Sequence, residues 1–230
     1  MELKEFIIKN RINLADQAVH SCYIAMEIMR RSIAPLYDER HIFSIISNLD
    51  RLLNESKEID KAKIRFDVLL LAICWHDVWR AKRFPLNLWS FLIDHTYEGV
   101  GSMGIFVQMA EAFGLDKQLI KDVRYTIRKH SGFQILPIMT IEGRILKDID
   151  SLEEFSLARI KPLREDYLFL GIMNIRPIKF ANFYFEHFML NDVPKSFYFK
   201  WSKEEFAKRK KVFVEEAHKI VAELEKFIKF

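Results

Sequence analysis

Cysteine is nearly absent: the 230 residues contain only Cys22 and Cys74. The pair matches no disulfide framework and no Cys-x-x-Cys metal spacing, as expected for a protein of a reducing compartment, the cytoplasm. Long apolar runs are missing as well. The most apolar stretch, Val68 to Trp75, is far too short to span a bilayer, and the opening Met-Glu-Leu-Lys-Glu has no basic leader followed by an apolar segment, so neither membrane nor signal sequence is expected. No single sign of charge prevails. Thirty-six Lys and Arg face 32 Asp and Glu, interspersed, for a net charge of +4. That balance lacks the clustered basic stripe of a nucleic-acid binder and leaves only a mild bias toward anionic ligands. The one basic run, Lys208 to Lys211, is offset by Glu204, Glu205, Glu215 and Glu216 and reads as a solvated helix face. No linker, repeat or low-complexity tract occurs, and alternating strand patterns are too short and too few to build a sheet.

What is present is a globular balance, 50% hydrophobic and 30% charged, arranged at three- and four-residue steps almost throughout. The expectation is an all-α protein with one substantial core. Asn13 can cap a helix running to about Ile33, before Pro35. Asp38 opens the next, with Ile42, Ile45, Ile46, Leu49 and Leu53 as its inward stripe, and Asp60 opens a third through Trp79. Asp94 can cap a helix ending near Gly114, weakened by Gly99, Gly101 and Gly104. Asp116 caps another reaching His130, and a further helix covers about Ile141 to Phe155. From Arg164 to Trp201 dense Phe and Tyr lose any clean period and read as short helices and loops, their aromatics suited to core or a dimer interface. Ser202 with Glu205 fits a capping box that predicts a final helix from about Lys203 to Phe227.

The residues that bear chemistry are His41, the adjacent pair His76 and Asp77, and Asp150, each at or near the end of a strongly apolar helical pattern. His41 lies one turn before Ile45, while His76 and Asp77 follow Ile73 by three and four positions, at the edge of the buried stripe. Neighbours on a helix point about 100° apart, which lets two ligands reach one ion from its side and top. Imidazole and carboxylate together suit one divalent ion: manganese, zinc, iron, nickel or, with fewer nitrogens, magnesium.

The order of these residues resembles the HD-domain superfamily, whose signature is a His, a His-Asp pair and a distant Asp on a later helix. Here it reads RHIFSIISNLDRLL, then LLLAICWHDVWR, then IRKHSGF, then IEGRILKDIDSLEEF. The last two segments, and the closing NFYFEHFMLNDVPKSFYFKWSKEEFAKRKKVFVEE, are similar to a small family of uncharacterised bacterial HD hydrolases. The resemblance implies a single HD-type helical bundle, with its core over about residues 38–156 and an aromatic-rich helical extension over 157–230. It makes His41, His76, Asp77 and Asp150 the metal ligands, with Asp77 also a catalytic carboxylate. Asp148 competes for the fourth place. Two positions apart on a helix means about 200° of rotation, so both cannot face the ion, and the family's aspartate precedes a large apolar residue by two, as Asp150 precedes Leu152. The pair is followed by Val78-Trp79-Arg80, where some relatives carry a glutamate general base.

With that ligand set the implied activity is metal-dependent phosphohydrolysis, a metal-activated water attacking a small phosphorylated compound or nucleotide. Phosphoryl transfer needs positioning and charge neutralisation, and Arg80, Lys82, Arg83 and Lys129 are the cations nearest in sequence to the ligands. His95 and His130 fall between the His-Asp pair and Asp150, where some members of the superfamily place ligands for a second metal. Each also has a simpler reading as an ordinary helix-terminal histidine, at the start of one helix for His95 and at the end of another for His130; as a functional residue His95 is a candidate substrate contact and His130 a proton donor to the substrate or its leaving group. A di-iron oxygenase and a non-catalytic metal- or ligand-binding module are the alternative functions.

Overall fold

Among the described residues the apolar spacing is realised as helix. The computed structural model describes residues 1–33, 37–81, 88–130, 137–159 and 190–228, with backbone alone for 88–96, 192, 224, 227 and 228, and among them there is no strand. The elements are α1 (Leu3–Lys9), α2 (Asp16–Arg30), α3 (Glu39–Glu55), α4 (Phe66–Trp75), α5 (Val78–Ala81), α6 (Leu88–Ala112), α7 (Lys117–His130), α8 (Ile141–Glu153), α9 (Leu190–Ser196) and α10 (Lys200–Ile228). No helix among the described residues is long and apolar enough to cross a membrane. The chain forms two compact units, Met1–Asp150 and Ser151–Phe230.

In the first unit α4 is the centre. Every residue from Val68 to Trp75 is buried, and a helix apolar on all sides is stable only with neighbours all round it. α2, α3, α6 and α7 supply them, and each large aliphatic side chain so buried contributes about 1.5–3 kcal/mol. Trp75 at the end of α4 donates its indole N–H to Ser21 of α2 at 3.1 Å and sets its ring edge on Phe106 of α6, centroids 5.8 Å apart. In the second unit Phe155 packs edge-on against Phe206 and Phe213 at 4.8 and 5.5 Å, and Phe197, Phe199 and Trp201 are buried with them. The rest of the aromatic stretch, residues 160–189, lies outside the described residues.

Two of the expected caps operate as read. Asp38 accepts from the Arg40 N–H, and Asp116 accepts from the N–H groups of Gln118 and Leu119. Four boundaries differ. α2 begins at Asp16 behind Ala15, leaving Asn13 exposed and out of reach. Asp60 caps only the 3-10 turn Lys61–Lys63; the chain then extends through Ile64 and Arg65 because the Arg65 N–H is taken by Glu142 of α8 at 2.8 Å, and α4 starts afresh. α6 begins at Leu88, so Asp94 lies inside it. Ser202 is the third residue of α10 and fully buried, while Glu205 pairs forward with Arg209 at 3.0 Å.

The glycines of α6 are contact points. A Cβ on Gly99 would lie 3.2 and 3.3 Å from the carbonyl oxygens of Arg128 and Ile127, and one on Gly101 would lie 2.2 Å from the Trp79 ring. Their absence lets α6 settle against the end of α7 and against α5. Gly104 meets nothing within 4 Å. Alanine at 104 therefore gains helix propensity without a clash and is expected to raise stability by about 0.5–1 kcal/mol. Alanine at 101 overpacks and is expected to lower it by about 1–3 kcal/mol. Thermal denaturation of the two variants checks this, and a higher Tm for both would rule out the close approach.

Candidate metal centre

Each candidate side chain reaches the interior from a helix end. His41 stands in the first turn of α3 and is 3% exposed; His76 is the C-cap of α4, Asp77 follows it, and Asp150 comes from α8. Asn48 of α3 donates its amide to the Ile149 carbonyl at 3.1 Å, which fixes the α8 backbone beside Asp150. The Nδ1–H of His76 donates to the Ile73 carbonyl at 2.8 Å, one of the carbonyls a helix end leaves without a partner. That bond sets the tautomer and turns the Nε2 lone pair inward.

There it meets three other donors. His41 Nε2 lies 3.2 Å from His76 Nε2, 3.0 Å from Asp77 Oδ2 and 3.7 Å from Asp150 Oδ1. His76 Nε2 lies 3.3 Å from Asp77 Oδ2 and 3.5 Å from Asp150 Oδ1. Four donors held about 2.1 Å from one tetrahedral ion stand about 3.4 Å from each other, so these separations match the edges of such a polyhedron. The cluster could hold a metal ion. Two imidazole nitrogens and two carboxylates form a donor set suited to zinc, iron or manganese. Asp150 retains 13% of its side-chain exposure against 3% or less for the other three, which marks the side open to solvent.

A second group adjoins the first. His130 ends α7, 1% exposed, its Nδ1–H directed at the Ile127 carbonyl as in His76, and its ring stands perpendicular to that of His76 with centroids 4.9 Å apart. Its Nε2 faces Asp77 Oδ1 and Glu98 Oε1, each at 3.7 Å. Arg80 is 3% exposed, donates to the Tyr37 hydroxyl at 2.6 Å and lies over the Tyr37 ring at 4.5 Å. Burial disfavours its charge, but Tyr37, Glu98 and Asp77 outweigh that and raise its pKa.

Of the other expected contacts, Lys82 and Arg83 lie outside the described residues, as does the side chain of His95. Lys129 is half-buried, about 100° round α7 from His130. Asp148 is fully buried and does not join the cluster. Glu98, Asn48 and Tyr37 went unnoticed in the sequence. Glu98 had one faint signal, its place three residues after His95 on the same helix face. Comparison of the chain with protein-family models, with curated proteins and with solved structures finds no match.

Asp77, Glu98 and Asp150 are all buried, and Asp77 and Glu98 act on the guanidinium of Arg80. Without an ion the imidazoles must carry protons. Burial alone would lower His76, but the Asp77 charge and hydrogen bonds to Asp150 and Asp77 hold it well above 6.5. Burial likewise opposes charge on His130, but the facing carboxylates of Asp77 and Glu98 outweigh it and raise its pKa to about 9. Asp77 and Asp150 are held below the usual carboxylate range: burial pushes each up, but His76 pulls both further down, joined by Glu98, His130 and His41 at Asp77 and by His41 at Asp150. A raised histidine adds stability that is full below about pH 6.5 and fades as pH climbs through about 9. A depressed aspartate adds stability that is present above about pH 4 and is lost in acid.

The ion-free protein is accordingly expected to be most stable between about pH 4 and 6.5, whereas divalent-ion affinity should rise toward pH 9 with release of protons. Melting curves of chelator-treated protein against pH, and calorimetry in buffers of different ionisation enthalpy, test both. A flat Tm from pH 5 to 9 with no proton release counts against the cluster. Among single changes, Asp150→Asn should lose bound metal from folded protein while Asp148→Asn keeps it, read as metal per chain; the reverse order would move the site to Asp148.

Proposed function

We propose that this chain is an HD-type metal-dependent phosphohydrolase acting on a small phosphorylated compound or nucleotide. The observation that carries the reading is the four-donor cluster of His41, His76, Asp77 and Asp150 with the buried cation of Arg80 beside it, in the residue order that resembles the HD signature. A divalent ion in that donor set supplies a Lewis acid and brings the pKa of water toward 7. Arg80 does the rest of the charge work. Its guanidinium is permanently charged, and Tyr37 holds it by a hydrogen bond and by its ring face, so its planar fork is oriented before a phosphoryl oxygen arrives. Burial of the ligands keeps bulk water from screening these interactions, and the Ile73 carbonyl holds His76 in the tautomer with Nε2 free to coordinate.

The neighbouring Asp77, Glu98 and His130 group favours a second reading, a two-iron oxygenase. Protein purified without chelator or nickel resin, supplied with manganese and assayed on phosphomonoesters, phosphodiesters and nucleotides, is expected to turn over at least one class. Arg80→Gln should lower kcat/KM by about 10²-fold or more with metal content unchanged. Oxygen uptake by iron-loaded protein inert to every phosphate ester would establish the oxygenase instead, and metal-loaded protein inert in both assays would leave a binding module.

A further inference from the structure

We propose that the cavity at the start of α4 is a binding site for a small monocarboxylate with an apolar body, held by the guanidinium of Arg11. The cavity has a volume of about 430 Å3, within the range of small-molecule sites. It is formed by the turn between α1 and α2, the residues just before α4, and the first turns of α2, α4 and α7. His76 lies at the other end of α4, about 15 Å along the helix axis, so this site is separate from the metal centre.

One side chain in its wall has no role inside the protein. Arg11 closes α1: its N–H donates to the Ile8 carbonyl at 3.2 Å, and that of Ile12 donates to the Ile7 carbonyl at 3.0 Å. This is the pairing of a Schellman motif, whose turning residue takes a left-handed backbone and is usually glycine. Arg11 stands there with φ 51°, the one non-glycine residue at positive φ among the described residues. A Cβ in that conformation lowers stability, and no internal contact offsets the loss, because the exposed Arg11 side chain makes no hydrogen bond or ion pair among the described residues. Strain kept at a residue without an internal partner points to an external one.

The rest of the wall fixes the chemistry of that partner. Ile12, Leu14, Phe66 and Leu119, all half-buried, and the buried Ile64 make it largely apolar, suited to covering a hydrocarbon body. Arg65, the other cation in the wall, is paired with Asp67 and Asp122. The charge of Arg11 is therefore the one left over, and it matches a monoanion better than a phosphate dianion. A carboxylate accepts two parallel hydrogen bonds from a guanidinium. The Asn13 amide, also without a partner among the described residues, is placed to add another. α2 and α4 both start at this wall without a side-chain cap, which favours the same sign of charge.

The test is binding, followed by calorimetry and by NMR of the Ile and Leu methyl groups, and it is independent of turnover. Hexanoate and phenylacetate are expected to bind once per chain with dissociation constants below about 1 mM, moving the methyl signals of Leu14, Ile64 and Leu119. Hexanamide and phenylacetamide, which lack the charge, acetate, which lacks the apolar body, and inorganic phosphate should each bind at least about tenfold more weakly. Arg11→Gly should weaken both acids by about 10- to 100-fold and, with the backbone relieved, raise Tm by about 2–4 °C. Arg80→Gln, at the metal centre, should leave their affinity unchanged. Equal affinity in wild type and Arg11→Gly, binding lost in Arg80→Gln, phosphate binding more tightly than the acids, or no saturable binding of either acid would each overturn the proposal. A lower Tm in Arg11→Gly would assign the side chain to the fold and overturn it as well.

Discussion

Buried negative charge is the constraint on which the first unit turns. Asp77, Glu98 and Asp150 are withdrawn from water into an otherwise apolar helical assembly, and an uncompensated buried carboxylate is costly enough that proteins pair it, protonate it or bind a cation to it. Arg80 offsets one charge. The remainder falls to the imidazoles of His76 and His130, whose affinity for protons is raised, or to a divalent ion that displaces those protons. A divalent ion bound by this cluster would compete with protons for the same lone pairs, tying fold stability, pH and ion binding into one equilibrium.

That charge stays in place because the donors stand at helix ends. α4 can be apolar on every face only by being the central helix, and the position just past its last turn is the first where polar side chains are tolerated. His76 occupies it, and His130 does the same at the end of α7; each ring N–H satisfies a carbonyl three residues back. A helix end leaves such carbonyls without partners, so one local device completes the helix and orients the imidazole at once. Asp77 then follows His76 with one carboxylate oxygen toward each donor group.

Close helix packing completes the arrangement. The absence of a Cβ at Gly99 and Gly101 lets α6 lie close to the last carbonyls of α7 and to the Trp79 ring of α5. Asn48 performs a similar service on the other flank, tying α3 to the α8 backbone next to Asp150. These contacts do no chemistry, yet they set the distances on which any chemistry depends.

Much of this was legible along the chain. Apolar spacing announced the helices and Asp38 and Asp116 announced two of their starts, because each follows from local geometry with a fixed period; rotation about a helix axis said only that Asp148 and Asp150 could not both join the cluster, and the preference for Asp150 came from the family resemblance. Other features were decided by groups far away in sequence. Asp60 could not carry its helix onward because Glu142 captures the Arg65 N–H, and Ser202 lost its capping place to a helix that starts at Lys200. Glu98 looked like any surface glutamate in a glycine-weakened helix. The sequence by itself determined helices with histidine or aspartate at their ends, because periodicity and capping act within a few residues; only the tertiary structure decided that Glu98, Tyr37 and Asn48 join those ends, because their partners lie on other helices and no local spacing records the meeting.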